Sequence, residues 1–195
     1  MNIVTYPLGQ LQANCYFIIN DNQCLIIDPG DSADFLLEEI SRKNLIVAGI
    51  LATHGHFDHV MAVGELQMSL NVPLYIHDAD QFLLNRLKET SKHFLRFDPN
   101  VINPISIQNL TSGTFVIRNF KFVIISTPGH TPGSCCFYFE EEQAVFTGDT
   151  LFKDSVGSYN HSYSSKKDLF QSMNTINNLG EGITAYPGHG ESFLL

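Results

Sequence analysis

A dense group of histidines at residues 53–60, THGHFDHV, constrains the fold of this chain more than any other feature. Three of the eight histidines and one aspartate fall within six positions. The apolar run LIVAGILAT precedes the group, and VMAVGELQMSL, which is typical of a helix, follows it. A turn between a strand and a helix can direct alternate side chains to one side and the next pair to the other. The side chains of this one turn can therefore bind two neighbouring metal ions.

Candidate metal ligands occur in four separate segments. Imidazole and carboxylate groups suit zinc or iron, but four residues from one loop do not complete two coordination shells. The four in this loop are His54, His56, Asp58 and His59. Three more each follow a strand-like run: His130 in STPGHTPGS, Asp149 in FTGDT and His189 in YPGHGE. Neighbouring glycine or proline allows a tight turn to present one polar side chain at each strand end.

Apolar runs and turn signals organise the first half of the chain. NCYFII (14–19) and CLIIDPG (24–30), separated by NDNQ, predict a β-hairpin. Ser32 is a candidate N-cap for a helix in SADFLLEEISRKN, and LIVAGILAT predicts the next strand. A second helix is expected from Asp58 to Asn71, before Pro73, with VPLYIH as a short strand after it.

The second half again places strands before a helix. Residues 114–127 and 134–149 predict strands, KKDLFQSMNTINNL an amphipathic helix and ITAYPGHG a last strand. Between the halves, residues 78–105 begin as the helical DADQFLLNRLKET and continue as the irregular SKHFLRFDPNVINP, a candidate lid or substrate rim. This order favours an α/β fold with two sheets packed face to face and helices outside.

Composition bounds the domain organisation and the classes of partner. A chain of 195 residues that is 44 % hydrophobic can bury a sizeable core, so residues 1–195 are expected to form one domain. The net charge of −9 opposes attraction to nucleic acid and anionic membranes, which favours a small-molecule substrate. The N-terminal stretch MNIVTYPLGQLQ lacks a signal-peptide pattern, so a cytoplasmic protein is expected. The expected assembly is a monomer or a small homo-oligomer. The four cysteines form no CxxC pair and are expected to be reduced and mostly buried.

The pattern His-x-His-x-Asp-His, followed by single His, Asp and His residues in glycine-rich turns, resembles the metallo-β-lactamase superfamily. The resemblance runs from LQANCYFI and IIDPG through THGHFDHV, STPGHTPGS and FTGDTLF to YPGHG, nearly the whole chain. Within the superfamily, the chain is most similar to the short, single-domain glyoxalase II-like hydrolases. The resemblance implies an αββα sandwich of two mixed β-sheets with helices on the outer faces, and a metal site at one sheet edge.

The resemblance also implies two divalent metal ions, zinc first, with iron or manganese as alternatives. One ion would be held by His54, His56 and His130. The other would be held by Asp58, His59 and His189. Asp149 would bridge the ions, Asp58 would also have a catalytic role, and Asp28 in the DPG turn would orient a ligand histidine or the loop.

Two departures from relatives narrow the substrate. β-Lactamases of the superfamily carry Cys or Ser where Asp149 falls, which disfavours β-lactam hydrolysis. In glyoxalase II the segment after GDTLF carries a basic residue and an aromatic residue for glutathione, whereas this chain has Ser158 at the basic position. Ser158, Tyr159 and Asn160 are the candidate substrate contacts, and Tyr159 or His161 could face the site.

The implied reaction is hydrolysis of a thioester such as an S-acyl-glutathione. Two cations that share an aspartate and a solvent molecule lower the pKa of that water from about 15.7 to around 7, so that a metal-bridging hydroxide can attack. A thiol with a pKa of about 8.5 leaves without a dedicated general acid. Three alternatives stay open: a mononuclear-iron persulfide dioxygenase, a lactone or phosphodiester hydrolase of the same fold, and a non-catalytic metal-binding domain.

Overall fold

Two mixed β-sheets form the centre of the computed structural model, which describes residues 1–195. The first sheet contains, in chain order and in spatial order, Asn2–Leu8 (β1), Ala13–Asn20 (β2), Gln23–Ile27 (β3), Ile46–Leu51 (β4), Leu74–Ile76 (β5) and Ile107–Asn109 (β6). The second contains, in the same manner, Gly113–Ile117 (β7), Phe120–Ser126 (β8), Cys135–Phe139 (β9), Ala144–Gly148 (β10), Thr184–Pro187 (β11) and Phe193–Leu194 (β12). Strands β3 to β6 run parallel, as do β10 and β11, and the other neighbours are antiparallel.

Helices cover the outer faces of both sheets. They are Ala33–Arg42 (α1), Phe57–Val60 (α2), Val63–Leu70 (α3), Gln81–Asn85 (α4), Leu87–Leu95 (α5) and Lys166–Asn177 (α6), with a short 3-10 turn at Asp78–Asp80. Helices α1 to α5 pack on the first sheet and α6 packs on the second. The αββα sandwich expected from the sequence is therefore confirmed. None of the helices is both long and apolar enough to cross a lipid bilayer.

The alternating direction of side chains along the strands explains the four layers of the αββα sandwich. Successive side chains of a strand point to opposite faces, so a strand covered on both faces is apolar throughout. In β2, Phe17 packs toward the helices of the first sheet, whereas Ile18 joins the cluster between the sheets. In β9, Phe137 enters that same middle cluster and Cys136 faces α6. All four cysteines are buried free thiols, as the sequence predicted.

Two details of the first half differ from the sequence-based expectation. Ser32 precedes α1 with a left-handed φ of 55°, and its side chain makes no capping hydrogen bond. Its backbone N–H instead donates to the carboxylate of Asp31 at 2.6 Å. The single helix expected from Asp58 to Asn71 is broken into α2 and α3, because the N–H of Ala62 donates to the carbonyl of Pro29 at 3.2 Å. This contact ties the helix break to the DPG turn.

Other differences concern short edge strands and the end of α5. The edge strands β1, β6 and β12 were not predicted, and Pro7 in β1 is tolerated because it lies at a sheet edge. Helix α5 continues to Leu95, so SKHFL is helical and the irregular segment begins at Arg96, which has a φ of 66°. The helix extends because Leu87, Ser91 and Leu95 share one buried face.

Candidate metal centre

Three histidine nitrogens converge at the end of β4. Nδ1 of His56 lies 3.1 Å from Nε2 of His54 and 2.9 Å from Nε2 of His130. In a tetrahedral zinc site with Zn–N bonds of about 2.0–2.1 Å, ligand nitrogens are about 3.3 Å apart. The three nitrogens therefore have nearly the spacing of ligands around one ion, and His54 and His130 are buried.

A second group of ligand atoms lies beside the first. Asp58 and His59 come from α2, and His189 comes from the turn after β11. Oδ2 of Asp58 lies 3.4 Å from Nε2 of His189 and 3.7 Å from Nε2 of His59. The metal-binding atoms of His54, His56 and His130 thus lie together, and so do those of Asp58, His59 and His189. An overlapping third group joins Asp28 to His54 and His59.

Asp149 stands between the two groups. Its Oδ2 lies 3.5 Å from Nε2 of His130, whereas its Oδ1 lies 3.5 Å from Nε2 of His59 and 3.8 Å from Nε2 of His189. The sharp turn that presents it requires Gly148, which has a φ of 50° and sits where a Cβ would collide with the side chain of Thr53. One carboxylate oxygen thus faces each group.

Two buried atoms at the centre of this arrangement have no hydrogen-bond partner: Nε2 of His59 and Oδ1 of Asp149. An unsatisfied buried polar atom costs about 1–3 kcal/mol, so native proteins rarely leave two side by side. A cation between them would satisfy both. The donor set of five imidazoles and two carboxylates, split around Asp149, therefore fits two divalent metal ions.

Each of the five histidines is held by a hydrogen bond at the ring nitrogen that points away from the cluster. His54 is held by Thr53 Oγ1 at 3.1 Å, His56 by the Tyr163 hydroxyl at 2.8 Å, His59 by Asp28 at 3.0 Å, His130 by the Ser158 carbonyl at 2.7 Å and His189 by the Leu11 carbonyl at 3.1 Å. Such outer partners fix the tautomer and leave the inner nitrogen free to bind a metal ion.

Asp28 also supports the loop itself. Its Oδ1 accepts the backbone N–H of Thr53 at 2.7 Å, and its Oδ2 accepts the Thr53 hydroxyl at 2.6 Å. The side chain thus touches both a candidate ligand, His59, and the residue that begins the histidine loop. The resemblance implied that Asp28 orients a ligand histidine or the loop, and its side chain contacts both.

The pKa values of two histidines in the first group, His54 and His56, are shifted in the opposite direction from those of His59 and His189. Burial, reinforced by the neighbouring histidines, lowers the pKa of His54 and of His56 well below the ordinary value. These two imidazoles are therefore neutral at pH 7, as a metal ligand must be.

His59 behaves differently because carboxylates surround it. Burial acts to lower its pKa, but Asp58, Asp149 and Asp28 outweigh burial and raise the pKa to about 10. Burial also opposes the charge on His189, yet its hydrogen bond to Asp58 leaves the pKa raised. In the absence of metal, a proton on His59 offsets the charge of the carboxylates that would otherwise face a cation.

Asp80 is fully buried, and no pattern in the sequence indicated its role. Its Oδ2 accepts the Gly55 N–H at 2.8 Å and the Thr131 hydroxyl at 2.7 Å, and its Oδ1 accepts the Gly133 N–H at 2.7 Å. Gly55 separates His54 from His56, and Thr131 follows His130. Asp80 therefore links the two loops that supply the first group of ligands.

A cavity of about 230 Å³ opens beside the ligand cluster. Ser158 and His161 line it, together with Tyr163, whose ring stacks on His161 at 5.1 Å. Tyr159 does not line the cavity, because its ring packs on Phe170 and under the Lys166 ammonium, 5.3 Å away. Asn160 does not line it either, and its N–H approaches Ser158 Oγ at 3.4 Å. Of the residues predicted to face the site, Ser158 and His161 therefore lie at the cavity, whereas Tyr159 and Asn160 do not.

The segment 78–105 supplies one wall of the same cavity. Leu83, Thr90 and Phe94 line it, and the Phe94 ring stacks on Phe57 at 5.6 Å. This agrees with the expectation of a substrate rim, although the rim is mostly helical. His77 and His93, for which no role was predicted, lie outside both the cavity and the ligand groups.

Comparison with known proteins decides the family. The sequence profile described as the metallo-β-lactamase superfamily matches residues 8–189. This chain belongs to the metallo-β-lactamase superfamily. The resemblance inferred from the histidine pattern is therefore confirmed, and so is membership of a superfamily of metal-dependent hydrolases.

Relatives of this superfamily member align over nearly its full length. It is 33 % identical to the hydroxyacylglutathione hydrolase GloC of Haemophilus influenzae, with 97 % of this chain and 91 % of that protein covered. The crystal structure of TTHA1623 in a di-iron-bound form has a TM-score of 0.90 at 34 % identity, covering 98 % of this chain and 94 % of that one. The crystal structure of BLEG-1, described as a B3 metallo-β-lactamase, has a TM-score of 0.91 at 31 % identity, covering 99 % and 94 %.

Proposed function

We propose that this chain is a hydrolase that holds two divalent metal ions and cleaves a thioester. The observation that carries the proposal is the position of Asp149, which turns one carboxylate oxygen to each of two groups of ligand atoms. We assign His54, His56 and His130 to one ion, and Asp58, His59 and His189 to the other. Zinc is the proposed metal, and iron or manganese are the alternatives.

When bound, the two ions would supply a hydroxide at neutral pH and polarise the substrate carbonyl. The protein's own contribution is orientation. The five outer hydrogen bonds fix the histidine rings, and the Asp28–Thr53 contacts fix the loop that carries three of them. A rigid ligand set keeps the reacting atoms aligned from one turnover to the next.

The groups around the cavity favour a leaving group that needs little proton assistance. Asp58 and Asp149 are the acidic residues that line it, and both are assigned to the metal ions. If Nδ1 of His56 binds metal, its Nε2–H donates to the Tyr163 hydroxyl, which leaves the tyrosine proton free to point into the cavity. Burial raises the pKa of Tyr163, so it is a neutral hydrogen-bond donor and a weak acid. A thiolate suits this environment better than an amine or an alkoxide.

A hydrolysis screen of purified protein with measured metal content tests the proposal. The substrates are a thioester, a lactone, a β-lactam and a phosphodiester, each assayed with and without prior removal of metal. We expect two metal ions per chain and fastest turnover of the thioester. Two bound ions with no thioester hydrolysis would contradict the proposed reaction.

Two arms of the screen address other activities. The β-lactam arm is needed because a relative at 31 % identity is described as a B3 metallo-β-lactamase. An assay of iron content and oxygen uptake with a persulfide addresses the dioxygenase alternative. One iron per chain with oxygen consumption would replace the hydrolase proposal.

A further inference from the structure

We infer that the cavity beside the ligand cluster binds an uncharged, apolar group, so that the substrate is an acyl thioester with a medium-length aliphatic or aromatic acyl chain. This inference rests on the proposed function for the reaction itself. It also implies that the thiol portion is not recognised through carboxylates. The argument uses the walls of the cavity, the positions of the basic residues and the cavity volume.

Part of the cavity wall, away from the candidate metal ligands, is formed by apolar side chains from distant parts of the chain. Leu11, Phe57, Leu83 and Phe94 line it, and the two aromatic rings stack face to face. Leu11 is 47 % exposed and Phe94 is 57 % exposed, although other large apolar residues of these segments are buried. Exposed apolar residues gathered at the edge of a cavity are typical of a binding site for an apolar ligand.

No basic side chain reaches this cavity. The chain has eleven Lys and Arg residues, and none of them lines it. Lys153 pairs with Glu191 at 3.3 Å, Lys166 lies over the Tyr159 and Phe170 rings, and Arg86 pairs with Glu89 at 3.6 Å. The carboxylates of a glutathione-like thiol portion would therefore find no Lys or Arg partner in the cavity wall, and each charge-assisted hydrogen bond lost weakens binding tenfold or more.

The volume of the cavity limits the size of the acyl group that it can hold. A cavity of about 230 Å³ corresponds to roughly seven or eight volumes of a water molecule in the liquid, at about 30 Å³ each. The cavity also includes the space beside His56, Asp58 and His130, where the metal ions and the thioester group would lie, so about six to eight carbon atoms is an upper limit for the acyl group. Each buried methylene group of the acyl chain contributes about 0.8 kcal/mol, which corresponds to a factor of about four in affinity.

The first experiment compares two series of thioesters on the metal-loaded enzyme. Acetyl, butyryl, hexanoyl and octanoyl groups are attached to N-acetylcysteamine, which is neutral, and to glutathione. We expect kcat/KM to rise about fourfold per methylene up to hexanoyl or octanoyl, and the glutathione series to show no lower KM than the neutral one. A preference for acetyl, or a KM at least tenfold lower for glutathione, overturns the inference.

A pair of variants tests whether the preference for a longer acyl chain depends on the cavity wall. Phe94→Ala removes a wall of the cavity, and we expect the hexanoyl-to-acetyl ratio of kcat/KM to fall at least fivefold. Phe97→Ala is the matched control, because Phe97 is also exposed and lies three residues away but does not line the cavity. Equal ratios in both variants and the wild type would assign the acyl group to a different surface.

A binding measurement separates failure of this inference from failure of the proposed reaction. Ethanethiol, butanethiol, hexanethiol and the dianionic mercaptosuccinate are titrated into the metal-loaded protein by calorimetry. We expect affinity to rise with alkyl length and mercaptosuccinate to bind no better than ethanethiol. If thioesters are not cleaved but this order holds, the cavity assignment stands and the reaction is wrong. If thioesters are cleaved but affinity does not rise with length, the cavity assignment is wrong.

Discussion

Nδ1 of His130 donates to the backbone carbonyl oxygen of Ser158 at 2.7 Å. Ser158 therefore orients a candidate ligand through its main chain, while its exposed side chain lies at the cavity edge. Substitution of this side chain can change substrate recognition without removing the contact to His130.

Ser158→Arg is expected to lower the KM for an S-acyl-glutathione about tenfold or more, because it adds a basic side chain to a cavity lined by no Lys or Arg. The KM for the neutral thioester with the same acyl group should change little. Metal content, measured by atomic absorption, should stay at the wild-type value, and Ser158→Ala serves as the control for loss of the hydroxyl. An Arg variant that improves both substrates equally would show that the effect is not charge recognition.

Asp149→Ala is expected to reduce metal content well below two ions per chain and activity by more than about 100-fold, beyond the 10- to 100-fold typical of residues that only support ligands. The reason is that one of its oxygens faces each ligand group. Asp154→Ala, at an exposed position in the same loop, is the control. Retention of both metal ions by the Asp149 variant would refute the bridging assignment.

Asp80→Asn is expected to weaken metal affinity about 10- to 100-fold. The amide nitrogen would replace one of the two carboxylate oxygens, which together accept hydrogen bonds from both loops that carry the first group of candidate ligands. Competition with a chromogenic chelator measures the affinity, and far-UV circular dichroism checks the fold. Asp78→Asn, whose side chain is 71 % exposed, should match the wild type. A folded Asp80 variant with unchanged metal affinity would limit this residue to a structural role.

Metal binding is expected to release a proton from His59. The pKa of His59 is raised to about 10 in the metal-free protein, so this ring is protonated at pH 8 and must lose its proton to coordinate. Zinc titrations by calorimetry at pH 8, in buffers of different ionisation enthalpy, count the protons, and at least one per chain should be released. Affinity should weaken as the pH falls, and activity should fall below about pH 6. A heat of binding that is independent of the buffer would contradict this prediction.

The stability of α1 against β1 is expected to depend on acid pH through Glu39. Hydrogen bonds from Arg42 and Tyr6 lower the pKa of Glu39 to about 2, from 4.5. A carboxylate whose pKa is depressed on folding stabilises the protein above the unfolded pKa, and this contribution is lost as the pH falls from about 4.5 to 2. Urea unfolding at pH 6 and pH 3 should show a smaller loss of stability for Glu39→Gln than for the wild type. Glu38→Gln, on the exposed side of the helix, should lose as much as the wild type.

Much of the candidate ligand set could be predicted from the sequence alone. The spacing of His54, His56, Asp58 and His59 after an apolar run, and the glycine turns around His130, Asp149 and His189, are local patterns. Because strand periodicity and turn chemistry act over a few residues, such patterns indicate which side chains stand at strand ends. They also carried the family resemblance and the αββα sandwich.

Only the tertiary structure decided which nitrogen of each histidine faces the centre, because that choice depends on partners such as Tyr163 and Asp28 that lie far along the chain. The same holds for the cavity. Leu11 and Phe94 meet at one site through the packing of α5 on α2. Tyr159 illustrates the opposite case, since it is next to Ser158 in sequence but its ring packs on Phe170 and does not line the cavity. Sequence separation does not fix distances between packed elements, so the composition of the cavity wall follows from the packing of the folded chain.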